Sequence, residues 1–187
     1  MVAAFEEFLR TMTQDHVSTL SDPRLDFSKF PDELQVQSVF GTLREALDGP
    51  RFGVSGSEVS RLPTVFAAGQ LVLSRLANPA AFGLANSNPN SESVRQIAHN
   101  LGIRQLFPSI KPDFDRRWGP ATHATFVQDK LDEIVTRRHS VAHTASALGI
   151  SRQDLSEAIR FLRLLGETLE RHFRLELGKV ARQARTP

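Results

Sequence analysis

At 187 residues, with 40% hydrophobic and 24% charged side chains, the chain suits one domain and is ample for a sizeable core. The formal net charge is only +2, although the pI is about 9.5, so any basic surface for nucleic acid must be local. The absence of cysteine excludes disulfides and thiolate ligands and agrees with a reducing, cytoplasmic setting. Glu6 and Glu7 stand beside Phe5 and Phe8 where a signal peptide needs a basic region and a long apolar run, and no apolar run reaches the ~18 residues of a membrane span.

Residues 3 to 20 carry Phe5, Phe8, Leu9, Met12, Val17 and Leu20 on an i, i+3, i+4 pattern that predicts the first helix. His16, near the end of that stripe, reads as a packing histidine. Ser21-Asp22-Pro23 and Phe30-Pro31-Asp32 punctuate the connection, and Pro31 suits the first turn of a second helix that runs to about Leu47. Leu34, Val39, Phe40, Leu43 and Leu47 make its expected core stripe. Asp48 to Ser60 is a Gly/Ser-rich surface connection, whose glycine spacing matches neither a Walker loop nor a dinucleotide fingerprint.

Leu62 to about Ala77 is the most continuously apolar stretch, and Ala67, Ala68 and Gly69 allow close approach, so it is expected to be the central helix. Asn78-Pro79 and the Asn86 to Asn90 run break the chain. Ser91 is placed to cap a helix containing Val94, Ile97, Ala98 and Leu101 and ended by Gly102, with His99 on its surface. Pro108, Pro112 and Pro120 mark an irregular region around Asp113 to Trp118. There Trp118, with Arg116 and Arg117, either stacks against and holds an RNA strand or anchors a loop on the core.

The segment Leu131 to His143, on a helix starting near Thr122 to Thr125, concentrates the chemistry. Leu131, Ile134, Val135, Val141 and Ala142 form an apolar stripe with Arg138, His139 and His143 on its rim. Arg138 is a permanent planar cation suited to phosphate, and a histidine such as His143 both takes and gives a proton near neutral pH. Phosphodiester cleavage by a neighbouring ribose 2′-hydroxyl needs a proton carrier and a cation, and no metal or other cofactor. At about 100° per residue, positions 138 and 143 lie roughly 140° apart, which favours a second copy of the chain supplying the partner residue. His139 and His143, at i and i+4, also match metal-ligand spacing, with His123 or Asp129 needed to complete a shell.

The last helix is capped at Ser151 and carries Leu155, Ile159, Leu162, Leu165, Leu169, Phe173 and Leu177. Residues 141–160 also look like a DNA-binding helix-turn-helix, against which stand Asp154 and Glu157 on the recognition surface and the length of the helix. From Gly178 onward Lys179, Arg182 and Arg185 have no matching acid. The tail is expected to fray and to attract phosphate nonspecifically.

Arg138-His139-Ser140-Val141-Ala142-His143, after its Leu-Asp-Glu-Ile-Val lead-in, resembles the R-x4-6-H motif of the HEPN superfamily of helical ribonucleases. From about Leu62 through Leu177 the helices look like its RiboL-PSP branch. The resemblance implies an all-α HEPN-type helical bundle that dimerises and cuts RNA without metal in a composite cleft. Arg138 and His143 match the catalytic pair, and His139 takes the polar position. Arg137, Arg116, Arg117 and Trp118 are the candidate substrate-binding residues. The implied organisation is residues 1–60 as N-terminal helices and a connection packed on the bundle, 61–177 as the HEPN-like core, and 178–187 as a basic flexible tail. Phage defence, or a toxin held by an antitoxin or neighbouring defence protein, is the implied setting. The alternatives are a helix-turn-helix DNA regulator and a non-catalytic HEPN interaction module.

Overall fold

Apolar spacing of three and four residues is realised as helix along most of the chain. The structure is a computed structural model that describes residues 1–48, 58–82, 88–144 and 151–185, with the side chains at 48, 58, 59 and 139–144 left aside. Among the described residues it is all-α, with seven helices and no strand: α1 Val2–Ser18, α2 Asp32–Asp48, α3 Glu58–Leu73, α4 Ser91–Asn100, α5 Leu106–Trp118, α6 Phe126–Thr144 and α7 Arg152–Ala184. No helix among them is long and apolar enough to cross a membrane.

The 33 residues of α7 form the axis of the fold. Ser151 caps it through a full capping box: its side chain accepts from the Asp154 N–H, and the Asp154 carboxylate accepts from the Ser151 N–H at 2.9 Å. Phe161, Leu165, Leu169 and Phe173 are fully buried along its inner face, against α1 on one side and α5 on the other. Gly166 admits the Phe8 ring, which lies 3.1 Å from where a Cβ would stand. Helix α7 does not fray at Gly178: it continues to Ala184, which is buried and whose carbonyl accepts from the Asp26 N–H at 2.8 Å. Lys179 does have an acid, Glu176, at 2.7 Å.

Helix α3 is not central. It packs on α2 and leaves Phe66 70% and Leu73 76% exposed. Helix α2 likewise turns Val36, Phe40 and Leu47 outward and buries Leu34, Ser38, Thr42 and Ala46. Close approach and hydrogen bonding decide its orientation. Ser38 Oγ accepts from the Asn78 N–H at 3.0 Å and Thr42 Oγ1 accepts from Asn78 Nδ2 at 2.8 Å. A Cβ on Gly41 would stand 2.8 Å from the Ala81 carbonyl, so only this small, polar face fits the 3-10 turn at Pro79–Phe82. The apolar spacing of α2 and α3 therefore marks an outer face.

Residues 106–118, expected to be irregular, are helical. Pro108 lies in the first turn of α5, where a missing N–H costs nothing, and Pro112 is carried inside the helix. Burial of Leu106, Phe107, Ile110 and Phe114 overrides the local proline signal. The N-cap of α4 is Asn90, whose side chain accepts from the Ser93 N–H at 2.9 Å; Ser91 is the first helical residue instead. Gly102 follows α4 at φ +81° over Pro31, where a Cβ would meet the proline ring at 2.6 Å.

Candidate active site

Helix α6 buries Val127, Leu131, Ile134 and Val135, so its register is fixed by the core up to two residues before the Arg137-Arg138 pair. Two polar attachments hold the same helix from either side. The Asp132 carboxylate accepts from the Ser91 N–H and from Ser91 Oγ, both at 2.7 Å, which ties α6 to the start of α4. Lys130 spans Glu133 at 3.3 Å and Glu157 at 3.0 Å, which ties α6 to α7. Partial burial pulls the Lys130 pKa down, but the hydrogen bonds it donates to Glu157 and Glu133 outweigh it and hold the ammonium above its ordinary range. Neither attachment figures in the motif. Their sequence signal is a charged residue among the apolar positions of a half-buried helix.

The two adjacent arginines have different surroundings. Arg137 is drawn back along the helix by Glu133 at 2.5 Å. Arg138 is exposed and makes no ion pair with any described residue. His139 and His143 belong to α6 by backbone, but their side chains lie outside the described residues. The helix runs unbroken through positions 138 and 143, so its geometry sets them about 140° apart in rotation and about 7.5 Å apart in rise. One copy of α6 does not bring both onto one face.

The other candidates are distributed away from this rim. Arg116 pairs with Asp113, and Arg117 pairs with Glu167 on α7. Trp118 belongs to an aromatic cluster: Phe114 stacks on it at 5.7 Å, Phe126 and Phe161 lie at 5.9 and 6.1 Å, and Arg160 sits over its ring at 4.7 Å. Arg160 also donates to the Trp118 carbonyl at 2.7 Å. These contacts make Trp118 an anchor of the α5–α6–α7 junction. His123 and Asp129 pair at 3.2 Å at the start of α6. Asp129 is about 15 Å along the helix from His139 and about 21 Å from His143, too far to complete a metal shell with them.

The helix-turn-helix reading meets a different arrangement. Phe126 against Phe161 and Lys130 against Glu157 pair residues that rise along α6 as they fall along α7, so the two helices run antiparallel and side by side. Asp154 is engaged in the cap and Glu157 in the ion pair, while residues 145–150, the turn in that reading, lie outside the described residues.

The family model for RiboL-PSP-HEPN matches residues 1–174. Comparisons with curated proteins and with solved structures each return no match. The match covers nearly the whole chain, includes the 138–143 segment, and agrees with the all-α architecture, so this chain belongs to the RiboL-PSP-HEPN family.

Proposed function

We propose that the chain is a metal-independent endoribonuclease whose active site is completed by a second copy. The observation that carries this reading is Arg138: an exposed cation with no described carboxylate partner, on a helix held in register by its core stripe, Asp132 and Lys130. In this mechanism one His143 takes the proton of a ribose 2′-hydroxyl. The 2′-oxygen forms a bond to the adjacent phosphorus, and the 5′-oxygen leaves with a proton from the partner copy's equivalent histidine. Arg138 offsets the charge that builds on the non-bridging phosphate oxygens, and His139 assists as a hydrogen-bonding group. The products are a 2′,3′-cyclic phosphate and a 5′-hydroxyl. The roughly 140° between positions 138 and 143 supports a composite site, since two antiparallel copies of α6 present one copy's arginine to the other's histidine. An antitoxin or neighbouring defence protein is the partner expected to restrain such an activity.

The test is RNA cleavage in EDTA by wild type and by Arg138→Ala and His143→Ala variants, with circular dichroism confirming that each is folded. The reading requires cleavage that survives EDTA, leaves cyclic phosphate ends and disappears in both variants. Intact RNA across a broad panel, with wild type folded and dimeric, sinks it in favour of a non-catalytic module.

A further inference from the structure

A hollow of about 370 Å³ opens between the C-terminal parts of α1 and α7. Its walls include His16 from α1 and Thr19 just after it, Arg174 and Arg182 from α7 and Arg185 just after it, over a floor at Gly178. A Cβ on Gly178 would meet nothing closer than the Arg182 Nη1 at 3.8 Å, so the glycine leaves room beneath that guanidinium. The two helices run parallel here: Phe8 lies against Gly166, and His16 and Thr19 share the hollow with Arg174 and Gly178. Both carbonyl ends therefore lie at the same end of the molecule.

Arginines at such a place are ordinarily explained as partners for unsatisfied helix carbonyls. At the end of α1, and at the last carbonyl of α7, the chain itself already fills that role. The Asp15 carbonyl accepts from Ser18 Oγ at 2.6 Å, the His16 carbonyl from Thr19 Oγ1 at 2.7 Å, and the Val17 carbonyl from the Leu20 N–H at 2.8 Å. The Ser18 carbonyl accepts from the Ser21 N–H at 3.1 Å and the Ala184 carbonyl from the Asp26 N–H at 2.8 Å. Carboxylates do not take the guanidiniums either. Among the described residues Arg174, Arg182 and Arg185 make no ion pair, whereas Arg10, Arg24, Arg104, Arg117 and Arg171 all do. Asp22 is the carboxylate that feels Arg185, but it is bound to Arg24 at 2.7 Å; Glu170 and Asp15 act on His16.

We propose that this hollow is a binding site for the phosphate backbone of an RNA strand, separate from the cleavage motif. The inference rests on the RNA reading given above. Guanidinium forks match phosphate oxygens in pairs, and three of them with no ion-pair partner among the described residues leave a set of donors that an anion fills. Arg174 and Arg182 are about 12 Å apart along α7, more than one phosphate spans, so the arrangement suits successive phosphodiesters of a strand. The hollow lies about 35 Å along α7 from Ser151, the end where α6 meets it, so only an RNA several nucleotides long engages both places.

The experiment titrates salt against binding of a fluorescein-labelled single-stranded RNA of about 20 nucleotides to the full chain carrying His143→Ala, which prevents cleavage. Three phosphate contacts contribute about 2 to the slope of log affinity on log salt. Arg174→Gln, Arg182→Gln and Arg185→Gln together lower the slope by about that much and weaken binding about tenfold or more near 0.1 M salt. Arg10→Gln, Arg44→Gln and Arg95→Gln make the same change in net charge elsewhere and leave most of the slope in place. Equal slopes and affinities in the two triple variants overturn the proposal, as does a parent protein that binds no RNA. If the triple variant loses its helical circular dichroism, Arg182→Gln alone is read for a slope decrease of about 0.7. Cleavage in EDTA, measured alongside with the motif intact, separates the two readings. Cleavage with hollow-independent binding removes this site and keeps the ribonuclease; hollow-dependent binding without cleavage keeps this site and removes the ribonuclease.

Discussion

Substituting Asp132→Ala cuts the link that joins the motif helix to α4 without touching Arg138. Asp132 accepts two hydrogen bonds from Ser91, from the backbone N–H and from the hydroxyl, each at 2.7 Å, and Ser91 is only 7% exposed. The first of these donors is one of the N–H groups that α4 cannot satisfy within itself. A hydrogen bond to a charged group contributes about 1.5–3 kcal/mol, and a buried donor left without a partner costs about 1–3 kcal/mol. Water reaching the opened edge recovers part of this, so the expected loss is about 2–4 kcal/mol for Asp132→Ala. Asp132→Asn retains an acceptor oxygen but loses the charge facing the helix N-terminus, and should cost about half as much. Urea unfolding followed by circular dichroism measures both, with unchanged m-values confirming that the midpoint shift reports stability. A loss below about 1 kcal/mol in the alanine variant would refute the assignment of Asp132 as the α4–α6 attachment.

Phe114→Ala removes the fully buried ring that meets Trp118, Phe126 and Phe161 at 5.7, 6.3 and 5.6 Å, and should cost about 3–5 kcal/mol by the same urea assay. His172 offers the opposite sign. Its Nε2 is buried without a hydrogen-bond partner among the described residues, and burial, opposed by Glu176 and reinforced by Lys179, lowers its pKa. The folded state thus binds a proton less readily than the unfolded chain, and stability falls as pH drops from about 7 through the histidine range. His172→Leu should stabilise by about 1 kcal/mol at neutral pH and flatten that decline, leaving the part due to His16, whose pKa burial also lowers. Thermal melts at pH 7.5 and pH 5.5 check it; a destabilised variant with an unchanged pH dependence contradicts the reasoning.

Much of the fold follows from local periodicity, and the exceptions share a physical cause. The stripes of α1 and of α7 from Leu162 onward were legible because their apolar residues face this chain's own core, as Leu9, Leu165 and Phe173 do, whereas Leu155 and Ile159 at the start of the α7 stripe are exposed. The stripes of α2 and α3 carry the same pattern and yet leave Phe40 and Phe66 outside, because Gly41, Ser38 and Thr42 make the tighter contact with the Pro79–Phe82 turn. Periodicity states that a helix has an apolar face; what covers that face is decided elsewhere in the chain. In α5 the local signal itself was misleading, since Pro112 reads as a breaker until the burial of Ile110 and Phe114 is counted against it. At the candidate site the sequence reading placed Arg137 among the substrate-binding residues, and the structure gives it a partner on its own helix. Arg137 and Arg138 are the same residue type on adjacent positions, and only their neighbours separate them. Glu133 lies one helical turn before Arg137 and occupies it, and no described acid holds Arg138. That distinction is present in the i, i+4 spacing of the sequence, which pairs Glu133 with the first arginine and sets no acid four residues before the second.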